Sequence, residues 1–299
     1  MGAQTDALTV LQAIARQAGT DPDGALGQCR QILVRHPDNL PVLCLAAGIQ
    51  RRAGHLDAAA AMLDRAANVD QTAAPVLAEQ AALAMARRQP GRAARCLRTL
   101  LASSPDKPDA WFNLGIAEEQ QGRHQAAIDA FEHLLQMESS PRPDVLARLA
   151  GLLATIGRET DARHRIDQAL EIDPGHPEAR YVLGMLLLAD GDTGAAREQF
   201  RQCVAGHPRF AEAWQQLLEC RRMEDADDPE LAAAKNLLED PGLGDADRER
   251  LAFAVGKAFD ELGQSDQAFA CFSRAKRAKR QRLPDYDPEP LRVDTAARI

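Results

Sequence analysis

Ala110-Trp-Phe-Asn-Leu-Gly-Ile-Ala-Glu-Glu-Gln-Gln-Gly-Arg-His-Gln-Ala-Ala-Ile-Asp-Ala-Phe131 contains two helical faces separated by a break. Trp111, Leu114 and Gly115 share one side of a first helix, Gly122 interrupts it, and Ala127 and Phe131, one turn apart, share one side of a second. The stretch therefore predicts a helical hairpin. Shifted by 34 residues it finds its alanine again at Ala25, Ala59 and Ala93, and with one extra residue at Ala162 and Ala196. A small side chain is expected there because the second helix crosses the first at close range. Four positions later stands a larger residue, Cys29, Leu63, Leu97, Phe131, Ile166 or Phe200, which fills the space between hairpins.

Prolines punctuate the period. Pro37, Pro105, Pro174 and Pro208 follow second helices, whereas Pro108, Pro143 and Pro177 open the next first helix, where a missing amide is tolerated. Gly54, Gly122, Gly157 and Gly191 fall in the turns inside hairpins, where a left-handed residue is needed. Helix pairs are predicted over 6–37, 40–71, 74–105, 108–141, 143–174 and 177–208, and a seventh begins at Ala211 with Trp214 and Leu217. The acidic, proline-ended Met223-Glu-Asp-Ala-Asp-Asp-Pro229 interrupts that seventh repeat, and a short helix over Glu230 to Leu238 follows. Gly256, Gly263, Ala268 and Phe272 then restore the spacing in a last hairpin.

The spacing W-x2-L-G at Trp111, Leu114 and Gly115, followed by A-x3-F at Ala127 and Phe131, resembles the tetratricopeptide repeat. The resemblance implies an all-α, right-handed tetratricopeptide solenoid of antiparallel helix hairpins. The expected division is a repeat array over 1–223, an acidic linker with a short helix over 224–250, a final hairpin over 251–283 and an extended tail over 284–299.

Composition agrees with a folded array. The 299 residues are 45% hydrophobic and 27% charged, enough to bury a large core. The net charge of -8 is uneven: residues 224–250 carry -7, residues 1–223 carry -3, and the last 49 carry +2. No broad basic stripe of the kind nucleic acid requires is present. Neither a signal segment nor an apolar run of about 18 residues is found, so no membrane association and a cytoplasmic location are expected. Met1-Gly2, with Asp6 where an acylation signal needs Ser or Thr, fits lipidation poorly. Six cysteines, Cys29, Cys44, Cys96, Cys203, Cys220 and Cys271, lie mostly at apolar repeat positions and are read as core thiols.

A curved stack lines a concave groove with its first helices, a surface for an extended peptide or a partner helix. At equivalent positions of successive first helices, the groove candidates are Arg51, Arg52, Met85, Phe112, Asn113, Ile116, Glu119, Arg148, Tyr181, Met185, Gln215, Glu219 and Lys257. Phe112, Ile116, Tyr181 and Met185 suit packing against the next hairpin equally well. Asn113 is the foremost candidate, since an amide can bond a ligand backbone. Some tetratricopeptide domains hold a C-terminal carboxylate in a Lys, Asn and Arg clamp, but Asn113 and Arg148 here stand beside Ala78, Ala82, Phe112 and Ala147, so chaperone-tail binding is not expected. The basic run Lys276, Arg277, Lys279, Arg280 and Arg282 reads as a solvated face, with an acidic ligand or the acidic linker as its alternative partner.

No residue pattern points to catalysis, a metal or a cofactor. The seven histidines lack ligand spacing, and His124 and His133 are expected at the surface. Asp190-Gly-Asp-Thr-Gly194 lacks the later glutamate of a calcium loop and reads as a turn with a helix cap.

The last hairpin, Phe253 to Gly263, Ala268-Phe269, Phe272 through Ala275 and then Leu283-Pro-Asp-Tyr-Asp287, resembles the end of the helical half of bacterial tetratricopeptide-containing sulfotransferases. In that family an α/β domain follows and binds 3'-phosphoadenylyl sulfate; no strand or donor loop is present here, so no catalytic residue can be placed. The leading expectation is a non-catalytic scaffold for a protein or peptide partner. The alternative is the helical part of a sulfotransferase, associating with an α/β catalytic domain. The exposed apolar end of a stack also offers a surface for pairing with a second copy.

Overall fold

The 34-residue period is about the length of two short helices and two tight turns, and that is how it folds. The computed structural model describes residues 2–137 and 141–282. The expected tail over 284–299, the end of the sulfotransferase resemblance at Leu283 to Asp287 and the Met1 part of the acylation pattern lie outside these. Among the described residues there are sixteen α-helices and no strand. The chain divides into two compact units, Met1–Val145 and Leu146–Ile299.

In the first unit the helices are α1 (Gly2–Gln17), α2 (Pro22–Arg35), α3 (Leu40–Arg52), α4 (Leu56–Asp70), α5 (Ala74–Ala86), α6 (Pro90–Ser103), α7 (Pro108–Glu119) and α8 (His124–Met137). Prolines at the first turns of α2, α3, α5, α6 and α7 start helices without losing a bonded amide. The boundary helix α9 (Pro143–Thr155) leads into the second unit. There follow α10 (Glu159–Ile172), α11 (Pro177–Ala189), α12 (Thr193–Gly206), α13 (Ala211–Glu219), α14 (Pro229–Leu237), α15 (Asp245–Glu261) and α16 (Ser265–Arg282). The last hairpin thus begins at Asp245, inside the stretch read as linker, because Asp245 and Asp247 favour a helix N-terminus.

The core follows the repeat. Ala25, Ala59, Ala93, Ala127, Ala162 and Ala196 are all fully buried, as are Cys29, Leu63, Leu97, Phe131, Ile166 and Phe200 one turn on. On the facing helix the partner changes in size with them. A Cβ on Gly115 would stand 2.5 Å from the Phe131 ring, one on Gly184 2.6 Å from Phe200, and one on Gly256 2.7 Å from Phe272. Where the second helix offers only leucine, the first offers alanine: Ala47 packs in one cluster with Leu63, and Ala81 in another with Leu97. Interhelical distance is therefore held by compensating volumes.

Both tryptophans do the same work at the joints. The Trp111 indole donates to the Pro105 carbonyl at 2.8 Å and Trp214 to Pro208 at 2.7 Å, tying each first helix to the loop before it. Gly54, Gly122, Gly157 and Gly191 adopt φ of 81, 69, 79 and 85°. Arg88 fills the same turn position in the α5–α6 hairpin at φ 55°, a conformation unfavourable to a side-chain-bearing residue. Asp192 caps α12 through a 2.9 Å bond from the Ala195 amide, so Asp190 to Gly194 is a turn and cap as expected.

Candidate functional site

In the first unit, helix α5 presents small residues between Arg51 of α3 and Asn113 of α7. Ala78, Ala82 and Met85 of α5, with Arg51 of α3 and Asn113 of α7, line an open cavity of about 440 Å3. The alanines leave the room; the polar atoms come from Arg51, Asn113 and Gln120. Asn113 is exposed, so its amide is accessible, whereas Arg51 lies 3.4 Å from the Glu79 carboxylate. Arg52 is exposed and stands outside this lining. Phe112, Ile116 and Glu119 are half-buried; the Phe112 ring lies 6.0 Å from that of Phe131, with the Arg142 guanidinium 4.6 Å over its centre. Phe112 is thus chiefly a packing residue.

In the second unit, Arg148 is exposed on α9 and Met185 is exposed on α11. Tyr181 is enclosed by Phe200 at 5.8 Å and Phe210 at 5.1 Å, and burial, with the nearby Glu212 carboxylate, pushes its phenol up. Gln215 donates to Glu219 at 3.4 Å, and Lys257 stands 3.8 Å from the same carboxylate. Gln215 also borders a second cavity, of about 510 Å3, whose other walls are Phe253 and Arg250 of α15 and Phe272, Lys276 and Lys279 of α16. Sequence reasoning missed this cavity. Its signals were Phe253 at the repeat position of Phe112 and Tyr181, and the basic run, which reads by itself as a solvated face.

The acidic stretch is largely consumed by ion pairs. Arg221 pairs with Asp228, Arg197 and Arg201 converge on Glu230 at 2.6 and 2.9 Å, and Arg209 meets Asp240 at 2.7 Å. From α16, Arg274 pairs with Glu239, and Lys279 lies 3.9 Å from Glu249. Asp228, Glu230, Glu239, Asp240 and Glu249 are thus partners of basic residues on α12, on α16 and in the loops after α12 and α13, while Glu224, Asp225 and Asp227 are exposed. Burial works to raise the Asp228 carboxyl, but bonds from the Leu231 and Glu230 amides and Arg221 outweigh it and hold the group below its ordinary range. In the first unit Glu118 is only 1% exposed, clasped by Arg98 and, at 3.7 Å, by Arg123.

His133 is exposed and stacks on Trp111 at 4.6 Å, but His124 is half-buried, against expectation, because it opens α8 with its ring turned inward. All six thiols are free, and burial raises every one, Cys44 to about 11 and Cys203 to about 12. Among the described residues no group of three or more His, Cys, Asp or Glu is arranged to hold a metal, and no helix is long and apolar enough to cross a membrane.

Three models of the tetratricopeptide repeat match the chain, over residues 79–141, 118–186 and 177–220. The chain therefore carries tetratricopeptide repeats over 79–220, and its fold is an all-α solenoid of helix hairpins. It is 26% identical over 278 residues to the cytochrome c-type biogenesis protein CycH of Rhizobium meliloti (strain 1021), covering 86% of this chain and 68% of that one. Among solved structures it is similar to pilF of Pseudomonas aeruginosa, with TM-score 0.53 and 17% identity over 78% of this chain and 96% of that one. It is also similar to a chain of the APC/C hetero-tetramer Cut9-Hcn1, with TM-score 0.51 and 16% identity over 84% and 52%. At these identities the structures share the fold alone.

The sulfotransferase resemblance of the last hairpin finds no support in these matches. Its glycine and phenylalanine, Gly256 and Phe272, repeat the contact made by Gly115 with Phe131 and by Gly184 with Phe200. They are accounted for by the packing of any such hairpin.

Proposed function

We propose that the chain is a protein-interaction scaffold that holds an extended segment of a partner against the first helices of its N-terminal unit, without catalysis of its own. The observation that supports this reading is the cavity of about 440 Å3 in which alanines leave room beside the accessible Asn113 amide and the Met85 thioether. An amide fixes a peptide by bonding its backbone, and a thioether adapts to varied side chains. Arg52 and Glu119 would supplement these contacts on neighbouring first helices of the same unit.

The test is to pan a random peptide library on the full chain and measure the affinity of the recovered peptides for variants. Ala78→Trp fills the cavity from an exposed position, and Asn113→Ala removes the amide. Each should weaken binding about 10-fold, a loss of roughly 1.4 kcal/mol, with the thermal midpoint unchanged. Peptides whose affinity neither substitution alters would remove this cavity from the function.

A second reading is a role in assembling cytochromes of c type, favoured by the relative that matches 86% of the chain. Deleting the gene and staining cell extracts for covalently bound haem tests it, and an undiminished set of c-type cytochromes would exclude it.

A further inference from the structure

Three equivalent aromatic residues on first helices meet three phenylalanines on second helices. Phe112 meets Phe131 at 6.0 Å, Tyr181 meets Phe200 at 5.8 Å, and Phe253 meets Phe272 at 5.4 Å. The first two carry a cover from the residue that precedes a later helix. Arg142, just before α9, lies over Phe112 at 4.6 Å, and Phe210, just before α13, lies against Tyr181 at 5.1 Å. Phe253 has no such cover among the described residues, and it is 55% exposed.

The described second helices also differ in length. Helices α8 and α12 are described to Met137 and Gly206, six residues beyond their phenylalanines, and Arg142 and Phe210 lie over the rings within five residues of those points. Helix α16 continues ten residues beyond Phe272, to Arg282. This longer helix sets Lys276 and Lys279 at the edge of the cavity of about 510 Å3. From Arg274 onward it holds six basic residues and no acidic one. Of the anions in and beside the cavity, Glu212 pairs with Arg250, Asp247 lies 3.9 Å from the same guanidinium, and Glu249 on the cavity wall lies 3.9 Å from Lys279, an exposed ammonium with donors left for a further carboxylate. Lys276 has no ion pair among the described residues. The site is therefore an open aromatic seat with a cationic rim.

We infer that this cavity takes an acidic segment of a partner protein, which lays one aromatic side chain on Phe253 and sets flanking carboxylates against Lys276 and Lys279. The occupant follows from the site: the two covered seats show that a ring or a planar cation fits the position, and the rim excludes a cation while favouring carboxylates. This deepens the scaffold reading and rests on it, yet its contacts lie on helices other than those of the alanine-lined cavity.

The probe is a fluorescein-labelled, end-blocked peptide containing Asp-Glu-Phe-Asp-Glu, titrated by anisotropy against the full chain. Binding should weaken about 10-fold or more with Phe253→Ala, with the double substitution K276E and K279E, and when alanine replaces the peptide's phenylalanine. All three protein positions are exposed, so the thermal midpoint should hold. A matching peptide with Lys-Arg-Phe-Lys-Arg should bind the charge-reversed variant and not the parent. Ala78→Trp should leave the acidic peptide unaffected; if it alone abolishes binding, the inference falls while the alanine-lined cavity gains its ligand. No binding up to about 1 mM, indifference to Phe253→Ala, or tighter binding of a single-stranded oligonucleotide would each overturn the inference. So would dimerisation lost with Phe253→Ala, which would give the seat to a second copy.

Discussion

Gly115 and Phe131 are one of two ways to fill the same space. With glycine on the first helix the second can carry a full ring; with alanine, as at Ala47 and Ala81, it carries leucine, as at Leu63 and Leu97. The sizes must therefore be coupled. Gly115→Ala forces a methyl to within 2.5 Å of the Phe131 ring and should destabilise by about 1 to 3 kcal/mol, as overpacking does. Phe131→Leu alone should destabilise by leaving a void. The double variant G115A F131L should lose distinctly less than the sum, measured by denaturant unfolding. Strict additivity would show that the pair is not the determinant of spacing.

Among the helices, α14 is where the repeat departs from its pattern, and its start depends on Asp228. That side chain accepts from the Glu230 and Leu231 amides at 2.9 and 3.0 Å and pairs with Arg221. Asp228→Ala should cost about 1 to 2 kcal/mol at neutral pH by removing the cap. The carboxyl is held below its ordinary value of 3.8, so its contribution is complete above that value and is lost as pH falls through the lowered one. The stability gap between parent and variant should accordingly be constant from pH 7 to about 5 and close in more acidic solution. A gap that persists undiminished into acid would show that Asp228 acts by packing. Helix α16 departs in another way: it extends ten residues beyond Phe272, and Phe253 beside it is 55% exposed among the described residues.

Across the whole molecule the six cysteines report on the integrity of the hairpins. They are spread from Cys29 to Cys271, none is paired, and burial raises them all. At pH 8 the folded chain should react slowly with a thiol-specific chromogenic reagent, and six equivalents should appear only after unfolding in denaturant. A folded thiol that keeps its proton to about 11 at Cys44, or about 12 at Cys203, favours folding below the ordinary value of 9.0. Stability should therefore decline as pH climbs above 9, where the unfolded chain ionises first. Rapid titration of three or more thiols in the folded state would contradict this burial.

The sequence by itself determined the helices, their pairing and the row of buried small and large residues. Those depend on local periodicity and on proline and glycine positions, which are properties of neighbouring residues in the chain. That Asn113 and Met85 border one cavity was legible because the period places them on successive first helices. Only the tertiary structure decided that Tyr181 is enclosed by Phe200 and Phe210 while its counterpart Phe253 is 55% exposed among the described residues. It also decided that Asp228, Glu230, Glu239 and Asp240 are spent on arginines of α12 and α16 and of the loops after α12 and α13. Cover over a ring and partners for a charge depend on where a later helix begins and on residues some 30 positions away, distances that no local pattern encodes.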